Sequence, residues 1–216
     1  MPNPYLDYPG DYNLNKIEII TATGEVLPLR MGMIVELNVF EDIESSALTG
    51  SMVMIDSSNI ISNAPLQGNE RLVFKLSTPV SEYDERVAID ASEETGYPFH
   101  IYAIKKRVIQ SETLSSYNIQ FCSRELLRNT RTRVSRAYEG EVHQAAIKIL
   151  RDKNGLDSKK RLRYEPTKNK EKLVIPNMRP FRALDIVSKK ALSKNSEASG
   201  YYFYETTKGF NFRSYE

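Results

Sequence analysis

The chain has 216 residues, of which 40% are apolar and 27% charged, with a formal net charge of +2. That composition supports a packed core and excludes wholesale disorder. It contains no apolar run of about eighteen residues that could serve as a membrane-spanning helix. The single cysteine, Cys122, excludes an internal disulfide and fits a reducing compartment.

The near-neutral total hides a split. Residues 1–120 hold 8 Lys and Arg against 17 Asp and Glu, a net of −9, and residues 121–216 hold 22 against 11, a net of +11. Such asymmetry predicts two modules with different neighbours.

The opening MPNPYLDYPGDYNLN lacks the basic-then-apolar order of a secretory signal. With Pro2, Pro4, Pro9 and three tyrosines it reads as an extended arm over 1–11 that orders against a partner. Strands are then expected at 16–20 and 25–30 around a turn at 22–24. After a break at Gly32, the period of two through Met33, Val35, Leu37 and Val39 predicts a half-buried strand. Thr49 and Gly50 read as the next turn, and 51–55 (SMVMI) as a central strand. A loop over 56–67 is anchored by Ile60, Ile61 and Leu66, and a strand follows with Leu72, Phe74 and Leu76 on one face.

Residues 79–98 are acidic and irregular, with a short edge strand expected at 87–89. Strands resume at 99–109 and 114–121. About seven or eight strands at this spacing predict a closed or nearly closed antiparallel barrel.

The second half reads as α+β. A basic run occupies 124–136. Val142, Ala145, Ala146, Ile149 and Leu150 then make an amphipathic helix, with Glu139 and Glu141 near its start and Arg151 and Lys153 near its end. Gly155 is the expected stop. Strands are expected at 161–165 and 172–175. Pro180 opens a second helix with a stripe of Ala183, Leu184, Val187 and Ala191. The sequence GYYFYETTKGFNFR reads as a hairpin turning at 207–209. The fold class expected is therefore mainly β with α+β: an arm (1–11), an antiparallel β-barrel (12–123) and a smaller α+β domain (124–216).

Catalytic constellations are scarce. His100 and His143 lie far apart, and one cysteine without a His cluster makes a zinc site improbable. Cys122 reads as a structural thiol. Glu41 with Glu44, or Glu93 with Glu94, are the paired acids a glycosidase would need. Both pairs sit in charged turns where solvation keeps carboxylates ordinary, so no catalytic, cofactor-binding or metal residue is expected. The arginines Arg124, Arg128, Arg131, Arg133 and Arg136 are the candidate partner-docking residues. They could meet an acidic partner or subunit, form a solvated connector, or bind nucleic acid; no aromatic is interleaved before Tyr138 and no nucleic-acid motif accompanies them. The aromatics Tyr201 to Tyr204, Phe210 and Phe212 read as cross-strand packing rather than a ligand cage.

The pattern FEDI…LTG…VMIDSSNI…APLQGNERLVFKLSTP resembles the first tube domain of the baseplate central hub (tail hub) proteins of T4-like contractile-tailed phages. Two later segments agree: IPNMRPFRALDIVSKKA at 175–191 resembles the helix-opening motif of the hub's second domain, and GYYFYETTKGFNFRS at 200–214 the hairpin after it. The resemblance implies a structural protein without enzymatic activity. It implies a homotrimeric ring in the virion, assembled in the host cytoplasm, that connects the tail tube to the central spike. Tail tube protein, central spike protein and baseplate wedge proteins are then its partners, DNA passes through without specific binding, and no membrane insertion is involved. An acidic lumen would let DNA slide, since phosphate affinity comes from Lys and Arg. Hub proteins continue into a second tube domain, whereas this sequence stops at Glu216, so it resembles part of a longer hub protein. The alternatives are a tube-initiator or adaptor ring protein of another contractile injection system, or a basic nucleic-acid-binding module.

Overall fold

The computed structural model describes residues 12–57, 60, 68–77, 89–95, 97–109, 114–195 and 199–214. The expected arm over 1–11, most of the 56–67 loop and the acids Glu82, Asp84 and Glu85 lie outside the described residues. The chain divides into two compact units. The first comprises Met1–Val39 and Thr49–Arg124; the second comprises Phe40–Leu48 and Glu125–Glu216.

The first unit is one antiparallel sheet. Its strands are β1 (Asn13–Ile20), β2 (Val26–Pro28), β3 (Ile34–Phe40), β4 (Thr49–Asp56), β5 (Arg71–Ser77), β6 (Ile89–Asp90), β7 (Phe99–Ile109) and β8 (Ser115–Cys122). The spatial order is β2-β1-β5-β7-β8-β4-β3, with β6 added on β5. The path is open: β2 and β3 end it without pairing each other among the described residues. The antiparallel β character therefore agrees with the sequence, but the closed barrel does not. The eight strands among the described residues agree with the seven or eight expected, but closure depends on which edges meet, and spacing along the chain carries no information on that.

Most of the core of this unit lies on one face, with Val73 and Cys122 buried on the other. Met52 and Met54 of β4, Ile119 and Phe121 of β8, Leu72 and Phe74 of β5 and Ile17 and Ile19 of β1 are buried. Phe74 stacks on Phe99 at 5.6 Å, and Phe121 packs against Phe99 at 5.1 Å and edge-on to Phe74 at 6.2 Å, the offset and edge geometries that aromatic quadrupoles favour. Cys122 is fully buried.

Two local expectations fail for physical reasons. Gly50 is not in a turn: it belongs to β4, opposite Phe121 of β8. The expected inward face of 33–39 is not uniformly buried either. Met33 is buried, Leu37 and Val39 are half-buried, and Val35 is 61% exposed. This strand ends the sheet path among the described residues, which leaves Val35 uncovered by them.

β7 is the longest strand and is irregular. It meets β5 only at Arg71–His100 and Leu72–Phe99, while its ladder with β8 continues to Ile109. Register shifts fall at 101–103 and 105–108, where Lys106 takes φ 51°. From Ala103 onward β8 is the strand that β7 pairs with among the described residues.

The second unit contains α1 (Arg124–Arg131), β9 (Val134–Glu141), α2 (Val142–Arg151), β10 (Leu162–Tyr164), β11 (Lys170–Met178), α3 (Pro180–Lys190), β12 (Tyr201–Thr206) and β13 (Gly209–Ser214). β9 and β11 pair antiparallel. β12 and β13 form the expected hairpin, and β10 runs parallel to β13. The predicted stripes of α2 and α3 are both buried, in one core with Tyr201, Phe203, Phe210 and Phe212. Pro180 occupies the first turn of α3, as its locked φ and missing N–H allow. α2 ends earlier than expected, at Arg151. Gly155 lies in the turn beyond, where its N–H donates to Asp152 O at 2.9 Å. At the hairpin, Gly209 takes φ +114°, and a Cβ there would strike the backbone of Arg161. That close approach lets the Phe210 N–H reach Arg161 O at 2.8 Å.

Candidate docking surface

The segment Phe40–Leu48 begins on the last residue of β3 yet belongs to the second unit. From Glu41 to Leu48 it has no helix or strand, and two of its backbone groups and two of its side chains bond to the hairpin. Leu48 N–H donates to Glu205 Oε2 at 2.9 Å, Glu205 N–H to Ser45 O at 3.4 Å, Ser46 Oγ to Phe203 O at 3.4 Å, and Thr207 N–H to Glu41 Oε1 at 2.6 Å. Glu41, a candidate catalytic acid by sequence, thus caps the hairpin turn. Glu44 donates its own N–H to Asp42 Oδ1 at 2.9 Å in a local turn.

Glu205 is itself anchored from below. The ammonium of Lys160 donates to Glu205 Oε1 and lies 3.1 Å from Glu125 Oε2. Ser158 Oγ donates to Glu125 Oε1 at 2.6 Å. All four residues are buried. Burial alone would lower the lysine pKa, but the two carboxylates outweigh it and hold Lys160 above its ordinary 10.5. Lys160 therefore stays charged and ties Glu125 of α1 to Glu205 of β12, whose other oxygen holds the Leu48 N–H.

A cavity of about 380 Å³ is lined by Ile43, Glu44 and Ser46 of the segment, Asp185, Ser188 and Lys189 of α3, and Tyr201, Tyr202 and Phe203 of β12. Asp185 pairs along its helix with Arg182 at 3.0 Å and Lys189 at 3.1 Å. Ser188 is 3% exposed, and its Oγ has no hydrogen-bond partner. On the segment, Phe40 is 53% and Ile43 51% exposed.

The five sequence-selected arginines do not act as one group. Arg128 is turned inward: its Nε donates to Gly155 O at 2.8 Å and its Nη2 to Lys153 O at 2.9 Å, clipping the turn after α2. Arg124 is engaged within the chain. Arg131, Arg133 and Arg136 are exposed. The second acid pair is also committed, Glu93 to Arg71 at 3.0 Å and Glu94 to Lys75 at 3.3 Å. Lys75 also holds Asp90 at 3.2 Å. His143 is buried under Tyr164 with Thr167 on Nδ1. Among the described residues, no three His, Cys, Asp or Glu gather as a metal site.

Sequence reading missed the triad and Ser188. For Glu205 a signal existed. In YYFYET it falls in phase with the buried Tyr201 and Phe203, and a charge in a buried row of aromatics implies a buried counter-charge. Lys160, in an irregular stretch, gave none.

No protein-family model and no curated protein matches this sequence. Solved structures match its fold. The tail protein from Neisseria meningitidis MC58 aligns at TM-score 0.53 and 12% identity, over 93% of this chain and 50% of its own length. Prophage tail protein gp18 from Listeria monocytogenes EGD-e aligns at 0.53 and 10%, over 93% and 51%. The 43 kDa tail protein of prophage MuSo2 from Shewanella oneidensis aligns at 0.55 and 8%, over 92% and 54%. This chain spans about half the length of these tail proteins, and what it shares with them is the fold.

Proposed function

We propose that this chain is a structural component of a phage tail or a related injection machine, and that it works as a homotrimeric hub ring between tail tube and central spike. In this reading residues 12–123 supply the ring wall and 124–216 a peripheral α+β domain. Its place is the virion baseplate, where wedge proteins would meet the outer surface and DNA would slide through the lumen. The likeness in fold to three tail proteins supports the tail assignment, as do the hub-like sequence motifs.

The observation that carries the ring is the open sheet. Its path ends on β3 with Val35 exposed, and among the described residues β7 extends beyond its pairing with β5, with Val108 and Ile109 exposed. Unpaired edges with apolar side chains are templates for strands of another chain. Copies of the same chain would complete the wall that one copy leaves open. Obligate interfaces of this kind bury upwards of roughly 2,000 Å².

The test is mass measurement of the purified chain in solution, followed by electron microscopy of the particle. A trimer whose ring caps a tube is expected. A chain that stays monomeric at high concentration overturns the ring. A tube-initiator or adaptor ring would give rings at a different level of the particle, and the images separate the two.

A further inference from the structure

We infer that the Val134–Met178 end of the β9–β11 ribbon is a docking surface for a carboxylate-rich segment of a partner protein. Arginines gather there from separate stretches of the chain. Arg131 ends α1, Arg133 precedes β9, Arg136 lies within it, and Arg179 stands between β11 and α3. The last pair of the ladder is Val134 with Met178. That register brings Arg179 alongside Arg133, a meeting the sequence alone conceals.

All of these arginines are exposed. Other cations of the same unit are matched: Lys172 with Glu139, Arg182 and Lys189 with Asp185, and Lys160 with Glu125 and Glu205. Among the described residues, Arg131, Arg133, Arg136 and Arg179 make no ion pair. Like charges brought together across a ribbon are destabilising. A partner that supplies the counter-charge relieves that repulsion.

The rest of the ribbon selects protein carboxylates over the phosphates of nucleic acid. Glu139, Glu141 and Glu171 occupy its other end, on the rows with Lys172, Lys170 and Gly140. A continuous line of phosphates, bound by charge alone, would meet these acids as soon as it left the arginines; a short acidic cluster would not. An apolar spot adjoins the arginines. Val174 faces Ala137 across the ladder, both are exposed, and Val174 is 70% exposed. Arg133 lies an even number of residues before Ala137, on the same side at strand period. A phosphate backbone has nothing to cover a valine, whereas leucines set between acids do. The aromatic of β9, Tyr138, is buried, so this surface offers bases no stacking platform. Guanidinium and carboxylate meet through two parallel hydrogen bonds, and arginine beside apolar surface is common in interface hot spots.

The test uses the whole chain, isotope-labelled, titrated by NMR with acetyl-Glu-Leu-Asp-Glu-Leu-Asp-amide. The same peptide with Gln and Asn in place of the acids is the control, and a short DNA duplex is the competing anion. The acidic peptide is expected to shift the amides of Arg133, Arg136, Val174 and Arg179 in a saturable way. The amide analogue keeps the shape and loses the charge, and its affinity should fall about tenfold. Arg133→Gln, Arg179→Gln and Val174→Ser should each weaken the acidic peptide about threefold. Lys208→Gln, on the exposed hairpin turn, should leave it unchanged. All of these substitutions fall on exposed residues, so the spectrum elsewhere stays in place. No localised shift at millimolar acidic peptide, an equal response to the amide analogue, or displacement of the peptide by the duplex at a lower concentration overturns the docking surface. The readout is taken on the single chain, so its failure is distinguishable from failure of the trimer.

Discussion

Gly50 faces Phe121 directly across the β4–β8 ladder, and the ring lies over the glycine. A Cβ at Gly50 would stand closer than 3.0 Å to two ring carbons of Phe121 and to the carbonyl oxygen of Asn38. Phe121 is also the ring that joins Phe74 and Phe99. The absent side chain is thus the space in which the aromatic cluster closes.

Gly50→Ala should therefore be expensive, although alanine suits a strand no worse than glycine does. Either Phe121 leaves its rotamer or β3 and β4 separate, and overpacking of this kind costs about 3 kcal/mol. Gly32→Ala is the control, since nothing lies within 4 Å of a Cβ there. It should shift stability by no more than about 0.5 kcal/mol. Urea unfolding of the two variants beside the parent measures the difference, and equal midpoints would refute the close-packing account.

Lys160 is predicted to matter more for what its loss strands than for what its pairing gains. Lys160→Met leaves Glu125 and Glu205 buried without their cation, which costs about 3–5 kcal/mol. Adding Glu125→Gln and Glu205→Gln to that variant should recover part of the loss. Glutamine carries no charge and still offers Leu48 N–H an acceptor. Hydrogen exchange at Leu48 reports the same linkage: protection should drop in the single variant and return in the triple. Because Lys160 is held above 10.5 when folded, its contribution is complete below that pH and fades as the medium rises through the folded value.

Much of the second unit was legible because its signals are apolar. The stripes of α2 and α3 and the alternation of β12 lie in the sequence at helical and strand periods, and all are buried as their periods require. α1 was not legible for the converse reason. Its buried residues are Glu125 and Asn129, one turn apart. A helix that buries polar side chains looks like a solvated basic run. Gly50 reads as a turn because glycine signals one by default, whereas here it makes room for the ring of Phe121, 71 residues further along the chain. The open sheet was misread because strand spacing does not encode closure. The cavity beside α3 was not legible because Ile43, Ser188 and Phe203 meet only in three dimensions.

His143 gives the fold a pH dependence of known sign. Its Nδ1 accepts the Thr167 N–H at 3.2 Å, and its ring stacks on Tyr164 at 5.2 Å. Burial, helped by Lys194 and opposed by Glu141, holds its pKa below the ordinary 6.5. The unfolded chain therefore takes up a proton first as pH falls. The stability is fully present above 6.5 and is lost as pH drops toward the folded value. Unfolding midpoints compared between neutral pH and pH ~5 should decline in the parent and flatten in His143→Gln. Glu165 is also shifted, but downward from 4.5, so it acts in a more acidic window. An unchanged slope in the variant would remove His143 from the account.

Asn129 caps a helix other than its own. α3 begins at Pro180 after Arg179, whose side chain makes no capping bond. The Phe181 N–H, in the first turn of α3, would be an orphan donor in the interior. It instead donates to the Oδ1 of Asn129, on α1, at 2.9 Å. A cap borrowed across two elements serves twice, since it satisfies the donor and fixes α1 against the start of α3. Asn129→Ala should cost about 1–2 kcal/mol, the upper range for loss of a cap, because the vacated site is buried and water cannot readily replace the acceptor. Asn129→Asp keeps an acceptor oxygen at the same place and should retain most of the stability at neutral pH. Hydrogen exchange distinguishes the cap from simple packing loss. Protection of the Phe181 amide should fall in the alanine variant and persist in the aspartate variant, and equal protection in both would mean that the bond does not hold α3.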